Sequence, residues 1–226
     1  MIGVFDSGAG GLFAAETLRS LRPKIDIAFF ADRENAPFGI KNKREIVDIT
    51  ARGIDKLLNF GAEKVLIACC TASTVFDMLP EDIKEVSVPI IQSVSQAAAD
   101  ITKNRKIGIL STEATLKSGS FPKEILKILP TAQVVSYASR ALVSLADAGE
   151  SDGKLGEDGK KIIMKEISPF LDSGIDTLVL GCTHFAAFET EIGNRLGVSI
   201  VNSAKAGARA IAENTADIGC GNTVYL

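Results

Sequence analysis

The chain repeats itself. LNFGAEKVLIACCT, starting at Leu58, aligns without a gap on LDSGIDTLVLGCTH, starting at Leu171. Leu58 falls on Leu171, Gly61 on Gly174, Glu63 on Asp176 and Cys69 on Cys182. A weaker echo pairs IGVFDS at Ile2 with IGILST at Ile107. Each half therefore opens on an I-G-x-x strand and later carries a helix, a glycine turn, an apolar strand and then cysteine. Internal similarity of this kind calls for two copies of one supersecondary unit. Two similar halves facing each other would each supply one equivalent cysteine.

The units are α/β. Apolar, β-branched runs predict strands at Ile2–Phe5, Ile25–Ala31, Lys64–Ala68, Val88–Ile91, Lys106–Ser111, Gln133–Tyr137, Thr177–Gly181 and Ser199–Asn202. Near-continuous runs such as VLIA and LVLG suit strands covered on both faces, hence parallel sheets between helices. Ile46, Ile49, Ile54, Leu57 and Leu58 share one helical face, as do Ile162, Ile163, Ile167, Phe170 and Leu171. The pattern predicts two similar doubly wound, mostly parallel-sheet domains related by pseudo-symmetry, with the active site in the cleft between them. Candidate boundaries near Ser93–Ala99 and Ser203–Ala206 divide the chain into 1–94 plus 205–226 and 95–204. The first unit would hold Asp6 and Cys69, the second Cys182 and His184. Gly149–Gly159 reads as a surface loop, and Lys41, Lys43 and Arg44 as a solvated helix start.

Charge and cysteine usage narrow the function. With 25 Lys and Arg against 28 Asp and Glu, the net charge of −3 offers no basic surface for nucleic acid or an anionic membrane. No apolar run reaches the roughly 18 residues of a membrane span. The N-terminus reads as a core strand and not as a signal peptide. Four cysteines in 226 residues make no disulfide framework. One His and no CxxC or HxxxH spacing argue against structural zinc. A cytoplasmic protein with reduced thiols is expected. A homodimer is one alternative for an oligomeric state that the sequence leaves open, together with the roles of Cys220 and Tyr225.

Ligands of open α/β sheets bind beyond the carboxyl ends of the strands. DSGAGG, CCTAS and CTHF all lie there. A turn from strand into helix aims N–H groups at one point, which is expected to lower the pKa of Cys69 and Cys182. Two equivalent thiols facing each other suit inversion of a chiral carbon. One thiolate takes a proton from one face while a thiol supplies another to the opposite face. A nucleophilic enzyme would need one Cys with an orienting His, and a redox pair would need nearly touching sulfurs. Gly8, Gly10 and Gly11 would let backbone approach an anionic group, and Ser7 could donate to a substrate carboxylate. Asp6 could bind a substrate ammonium, tune a thiol or cap the following helix. His184, two residues past Cys182, could assist proton transfer.

DSGAGG at Asp6–Gly11, APFG at Ala36–Gly39, ACCTAS at Ala68–Ser73, STEATLKSGSF at Ser111–Phe121 and GCTHF at Gly181–Phe185 resemble, in that order, the motifs of glutamate racemases. The resemblance covers nearly the whole chain. Its GCTH favours the glutamate over the aspartate branch, which usually has a glutamate at the position of His184. It implies a small amino-acid substrate, no pyridoxal phosphate, no metal, and D-glutamate as a product for peptidoglycan. The family's catalytic cysteines map onto Cys69 and Cys182, its assisting acid and base onto Asp6 and His184, and an assisting glutamate onto Asp147. Its substrate-binding groups map onto Ser7, Thr71 and Thr183, with Pro37, Phe38, Gly39, Cys70, Thr112 and Thr115 in the surrounding motifs. Cys70 stands where the family usually has Asn, Phe38 where it has Tyr, Ala186 where it has Pro, and Asn202 where Asp is common. Loss of an amide and a hydroxyl leaves open a racemase of another amino acid. A non-catalytic ligand-binding protein on the same scaffold is the remaining alternative.

Overall fold

A computed structural model describes residues 1–226. Nine strands form two parallel sheets. The first contains β1 (Ile2–Asp6), β2 (Ile27–Ala31), β3 (Lys64–Ile67), β4 (Ser87–Pro89) and β9 (Thr223–Tyr225), in the order β4-β3-β1-β2-β9. The second contains β5 (Lys106–Ser111), β6 (Gln133–Ala138), β7 (Thr177–Gly181) and β8 (Ser199–Asn202), in the order β8-β7-β5-β6. Leaving β9 aside, the orders are the same, with β1 matching β5, β2 matching β6, β3 matching β7 and β4 matching β8. The repeat in the sequence is thus a repeat of topology. Gly61 and Gly174 occupy matching turns, both at positive φ (111° and 70°), where a Cβ is disfavoured.

The helices are α1 (Leu12–Leu21), α2 (Lys43–Phe60), α3 (Cys70–Ser73), α4 (Glu81–Glu85), α5 (Ile91–Ile101), α6 (Glu113–Ser118), α7 (Ser120–Ile128), α8 (Arg140–Asp147), α9 (Glu157–Leu171), α10 (Glu189–Leu196) and α11 (Ser203–Glu213). Helix α2 starts at a capping box. Asn42 Oδ1 accepts from Glu45 N at 3.1 Å, and Glu45 Oε2 accepts from Asn42 N at 2.9 Å. This satisfies two N–H groups that the first turn leaves without partners. Ile46, Ile49, Ile54 and Leu57 of α2 are buried on the outer face of the first sheet. Burying such a side chain is worth roughly 1.5–3 kcal/mol. Ile163, Ile167 and Phe170 of α9 do the same for the second sheet, while Leu171 is exposed. The largest cluster lies between the sheets. Val94 and Ala98 of α5 and Ala204, Ala208 and Ile211 of α11 pack there with Val4, Leu66, Ile107, Ile109 and Val179. The two sheets therefore share a central helical layer. The chain passes from one sheet to the other along α5 and back along α11, the two segments where the sequence suggested boundaries.

Three details differ from the sequence reading. The fourth strand is Ser87–Pro89, because Ile91 already opens α5. The segment expected as a strand from Ile25 enters β2 only at Ile27. The third is the additional strand β9, which pairs with β2 in parallel. Arg19 donates to the carbonyl oxygens of Ile25 and Asn222 and to Thr223 Oγ1, and the Asp26 carboxylate accepts from Asn222 N at 2.9 Å. No helix is long and apolar enough to cross a membrane.

Candidate active site

In each sheet the winding direction reverses between two central strands, β1 and β3 in the first, β5 and β7 in the second. A crevice opens at the carboxyl ends of such a pair. The segments that follow these four strands are DSGAGG, CCTAS, STEAT and CTHF. They converge on one cavity of about 550 Å³. Cys69 reaches it from the end of β3 and Cys182 from the end of β7, so the two equivalent thiols line the same space.

Most residues singled out in the sequence are on its wall. Ser7, Pro37, Phe38, Gly39, Cys70, Thr71 and Thr112 line it, as do Asp147, Thr183 and His184. Asp6 and Thr115 do not. Asp6 is fully buried behind the wall, where Oδ1 accepts from Gly8 N at 2.8 Å and Oδ2 from Thr183 Oγ1 at 3.0 Å. Both oxygens are engaged, so the suggestion that Asp6 binds a substrate ammonium does not fit. It ties the first half's glycine loop to the second half's CTHF turn. Thr115 stands behind Thr71 and Thr112. The three hydroxyl oxygens lie 2.9–3.1 Å apart in a ring that joins the halves. Cys70 is buried with its thiol beside the Ser203 hydroxyl.

The glycines serve a different purpose from the anion cradle expected of them. A Cβ on Gly10 would stand 2.5 Å from Thr183 Oγ1 and 2.6 Å from His184 N. One on Gly11 would collide with Asp6. One on Gly8 would stand 3.0 Å from the His184 ring. Absent side chains here let the two halves touch. The loop read as plain surface also belongs to the site, since Gly149, Glu150 and Ser151 line the cavity. Asp152 fastens it, accepting from Thr190 N at 2.7 Å and Glu191 N at 3.0 Å at the start of α10.

The two thiols have different neighbours. Cys69 Sγ is 3.4 Å from Ser7 Oγ. Cys182 Sγ is 3.8 Å from His184 Nδ1, and His184 Nε2 is 3.3 Å from Asp147 Oδ1. Cys182, His184 and Asp147 thus form a chain from a buried sulfur to a carboxylate at the cavity mouth.

Burial dominates the electrostatics. It pushes the Cys69 thiol up to about 11, and the nearby Asp6 carboxylate adds to the rise, while the Ser7 contact opposes it. Burial likewise pushes Cys182 well above the ordinary thiol range, with Cys70, Cys69 and Asp6 contributing. Cys70 is raised for the same first reason. The Asp6 carboxyl is also raised by burial, against the pull of His184, Gly8 N–H and Thr183. The expectation that strand-end turns would lower the cysteine pKa values is therefore overturned. Only the four-residue α3 follows Cys69, and a 3-10 turn follows Cys182. Withdrawal of each sulfur from water outweighs the few N–H groups aimed at it.

Sequence reasoning missed Arg33, Ser139 and Arg140, which also line the cavity. They follow β2 and β6, the equivalent outer neighbours of β1 and β5. The rule that sites form beyond strand ends could have found them.

Known proteins fit this architecture. The sequence pattern of the Asp/Glu/Hydantoin racemase family matches residues 13–211, and the chain belongs to that family. Its relatives there include glutamate racemases. That of Neisseria meningitidis serogroup B is 34% identical over 226 residues, covering 98% of this chain and 82% of the relative. That of Limosilactobacillus reuteri is 33% identical over 201 residues, covering 88% and 73%. Among solved structures, a glutamate racemase isoform from Bacillus anthracis superposes with a TM-score of 0.88 at 27% identity, covering 100% of this chain and 86% of the other. The Francisella tularensis glutamate racemase, solved in complex with D-glutamate, gives 0.85 at 26% identity, covering 99% and 86%.

Proposed function

We propose that this protein interconverts L- and D-glutamate by proton transfer between two thiols, Cys69 and Cys182. The observation that carries the reading is that these cysteines, equivalent in two similar halves, line one cavity. The glutamate racemases among the relatives supply the substrate. In this reading one thiolate removes the α-proton while the opposite thiol delivers a proton to the other face, and the roles exchange for the reverse direction. Ser7, Thr71, Thr112 and Thr183 hydrogen-bond the substrate as negative charge develops at the α-carbon. His184 shuttles the Cys182 proton, and Asp147 orients and steadies the imidazole. Asp6 is a positioning residue that acts through Thr183 and Gly8. The chain divides into 1–94 plus 205–226 and 95–204, each unit supplying one thiol. The setting is a bacterial cytoplasm, where D-glutamate feeds cell-wall synthesis. Incubation with a panel of L- and D-amino acids, followed by chiral separation, tests the substrate. Glutamate should racemise fastest. Racemisation of a neutral amino acid with glutamate inert would reject it.

The buried thiols give this mechanism a pH signature. With a pKa of about 11, roughly one Cys69 in three thousand is thiolate at pH 7.5 in the free enzyme. Thus kcat/KM should climb about tenfold per pH unit between pH 6.5 and 8.5. A plateau already reached at pH 7 would contradict it. Stability should move the other way. An unfolded chain releases the thiol proton near 9, whereas folded Cys69 holds it to about 11. The folded state binds the extra proton in that window, so stability falls as pH rises from 9 to 11, by about 3 kcal/mol for Cys69 alone. Denaturant titration across that range measures it.

A further inference from the structure

Five charged side chains of Arg, Asp and Glu line the cavity: Arg33, Glu113, Arg140, Asp147 and Glu150. The three carboxylates are each engaged. Glu113 pairs with Lys117 at 3.4 Å, Asp147 stands 3.3 Å from His184, and Glu150 accepts from Gly156 N at 3.0 Å. Arg33 and Arg140 make no side-chain hydrogen bond and no ion pair, although each guanidinium has five N–H donors. The uncommitted charge facing the cavity is therefore positive.

The two arginines also obey the repeat. Strand β2 ends at Ala31 and β6 at Ala138, and each arginine is the second residue beyond. Ala31 pairs in register with Asp6 at the end of β1, and Ala138 with Ser111 at the end of β5. Arg33 and Arg140 thus flank the cavity from equivalent positions, as Cys69 and Cys182 do. Arg33 lies four residues before Pro37, in the loop that contributes Pro37, Phe38 and Gly39 to the wall. Phe38 offers no polar group to a ligand, and its ring is buried against Phe5.

We infer that Arg33 and Arg140 are the specificity element of this site, receiving the side-chain carboxylate of an acidic amino acid and so selecting it over its amide. The inference rests on the racemase reading for its substrate. The page supports the charge pair independently. Guanidinium suits carboxylate through paired N–H donors. Both side chains are solvent-exposed, so screening limits the effect and makes it salt-dependent. Neither touches the reacting carbon.

The test compares Arg33→Gln, Arg140→Gln and the double variant with the parent, all checked for unchanged thermal melts. Two readouts are used: α-proton exchange of L-glutamate and L-glutamine in D₂O, and calorimetric binding of glutarate, a dicarboxylate with no α-proton-bearing amino group. The double variant should lower the glutamate-to-glutamine ratio of kcat/KM about 30-fold, each single variant less. Glutarate affinity should fall in parallel, and the differences should shrink in 0.5 M salt (about a 4 Å screening length). A ratio within about threefold of the parent, with glutarate binding unchanged, would overturn the inference. If the parent exchanged neither amino acid but bound glutarate through the arginines, the racemase reading would fail while the anion-recognising pair stood.

Discussion

A Cys182→Ala protein should fold as the parent does and lose glutamate racemisation by about 10³-fold or more, and Cys69→Ala should do the same. Either sulfur is small and removal leaves little empty space, so the loss is chemical and not structural. The two variants should differ in what they keep. A remaining thiol can still take a proton from the face it addresses and return one to that face. Each variant should therefore exchange the α-proton of one enantiomer with solvent, and the two variants should choose opposite enantiomers. Chiral separation and proton NMR in D₂O report both properties. Cys220→Ser is the control. Cys220 is exposed, in the segment that carries β9, away from the cavity wall, and its replacement should leave the rate unchanged. Racemisation at the parent rate by either alanine variant would end the two-thiol mechanism.

The second large effect concerns a residue with no side chain. Gly10→Ala would push a Cβ to within 2.5 Å of Thr183 Oγ1 and 2.6 Å of His184 N. Backbone belonging to the other half cannot give way as a flexible side chain would. Overpacking of this kind costs about 1–3 kcal/mol, and Gly10→Val should cost more. The same displacement moves Thr183 and His184, which adjoin Cys182. A shift near 1 Å at such groups lowers kcat about 100-fold. Gly61→Ala is the comparison. Gly61 sits at φ 111° with open space around it, so alanine there should cost about 1–2 kcal/mol through backbone strain alone. Its kcat should stay near the parent value. Thermal melts and steady-state kinetics on both glycine variants separate the two causes. Equal kcat in Gly10→Val and Gly61→Ala would mean that contact between the halves does not set the site.

How much of this was legible beforehand follows from what each feature depends on. The repeat and the strands were legible because they are local: VLIA and LVLG are short apolar runs between glycine turns, and they became β3 and β7. From the repeat came the two-sheet design and the pairing of Cys69 with Cys182. β9 was not legible, because Thr223–Tyr225 is three residues long and its strand state is imposed by pairing to β2 and by Arg19 and Asp26. The thiol pKa values were misjudged because a strand-end motif reveals nearby N–H groups but not depth of burial. Asp6 was placed in the right neighbourhood and given a ligand-facing role that its two hydrogen bonds preclude. DSGAGG looked like an anion cradle, since glycine permits close approach to anything. That the partner is the CTHF turn is a property of the assembled halves. Arg33 and Arg140 were overlooked because no recognisable motif surrounds them, although their equivalence follows from the strand ends once β2 and β6 are matched.

One isotope experiment probes the opposed thiols in the unaltered enzyme. L-glutamate is incubated in D₂O, and at low conversion the α-position of each enantiomer is analysed separately. Transfer between two sulfurs on opposite faces should give D-glutamate carrying deuterium, while the unconverted L-glutamate still carries protium. Deuterium appearing equally in both enantiomers from the first turnovers would mean that a single group serves both faces, and the account built on Cys69 and Cys182 would be wrong.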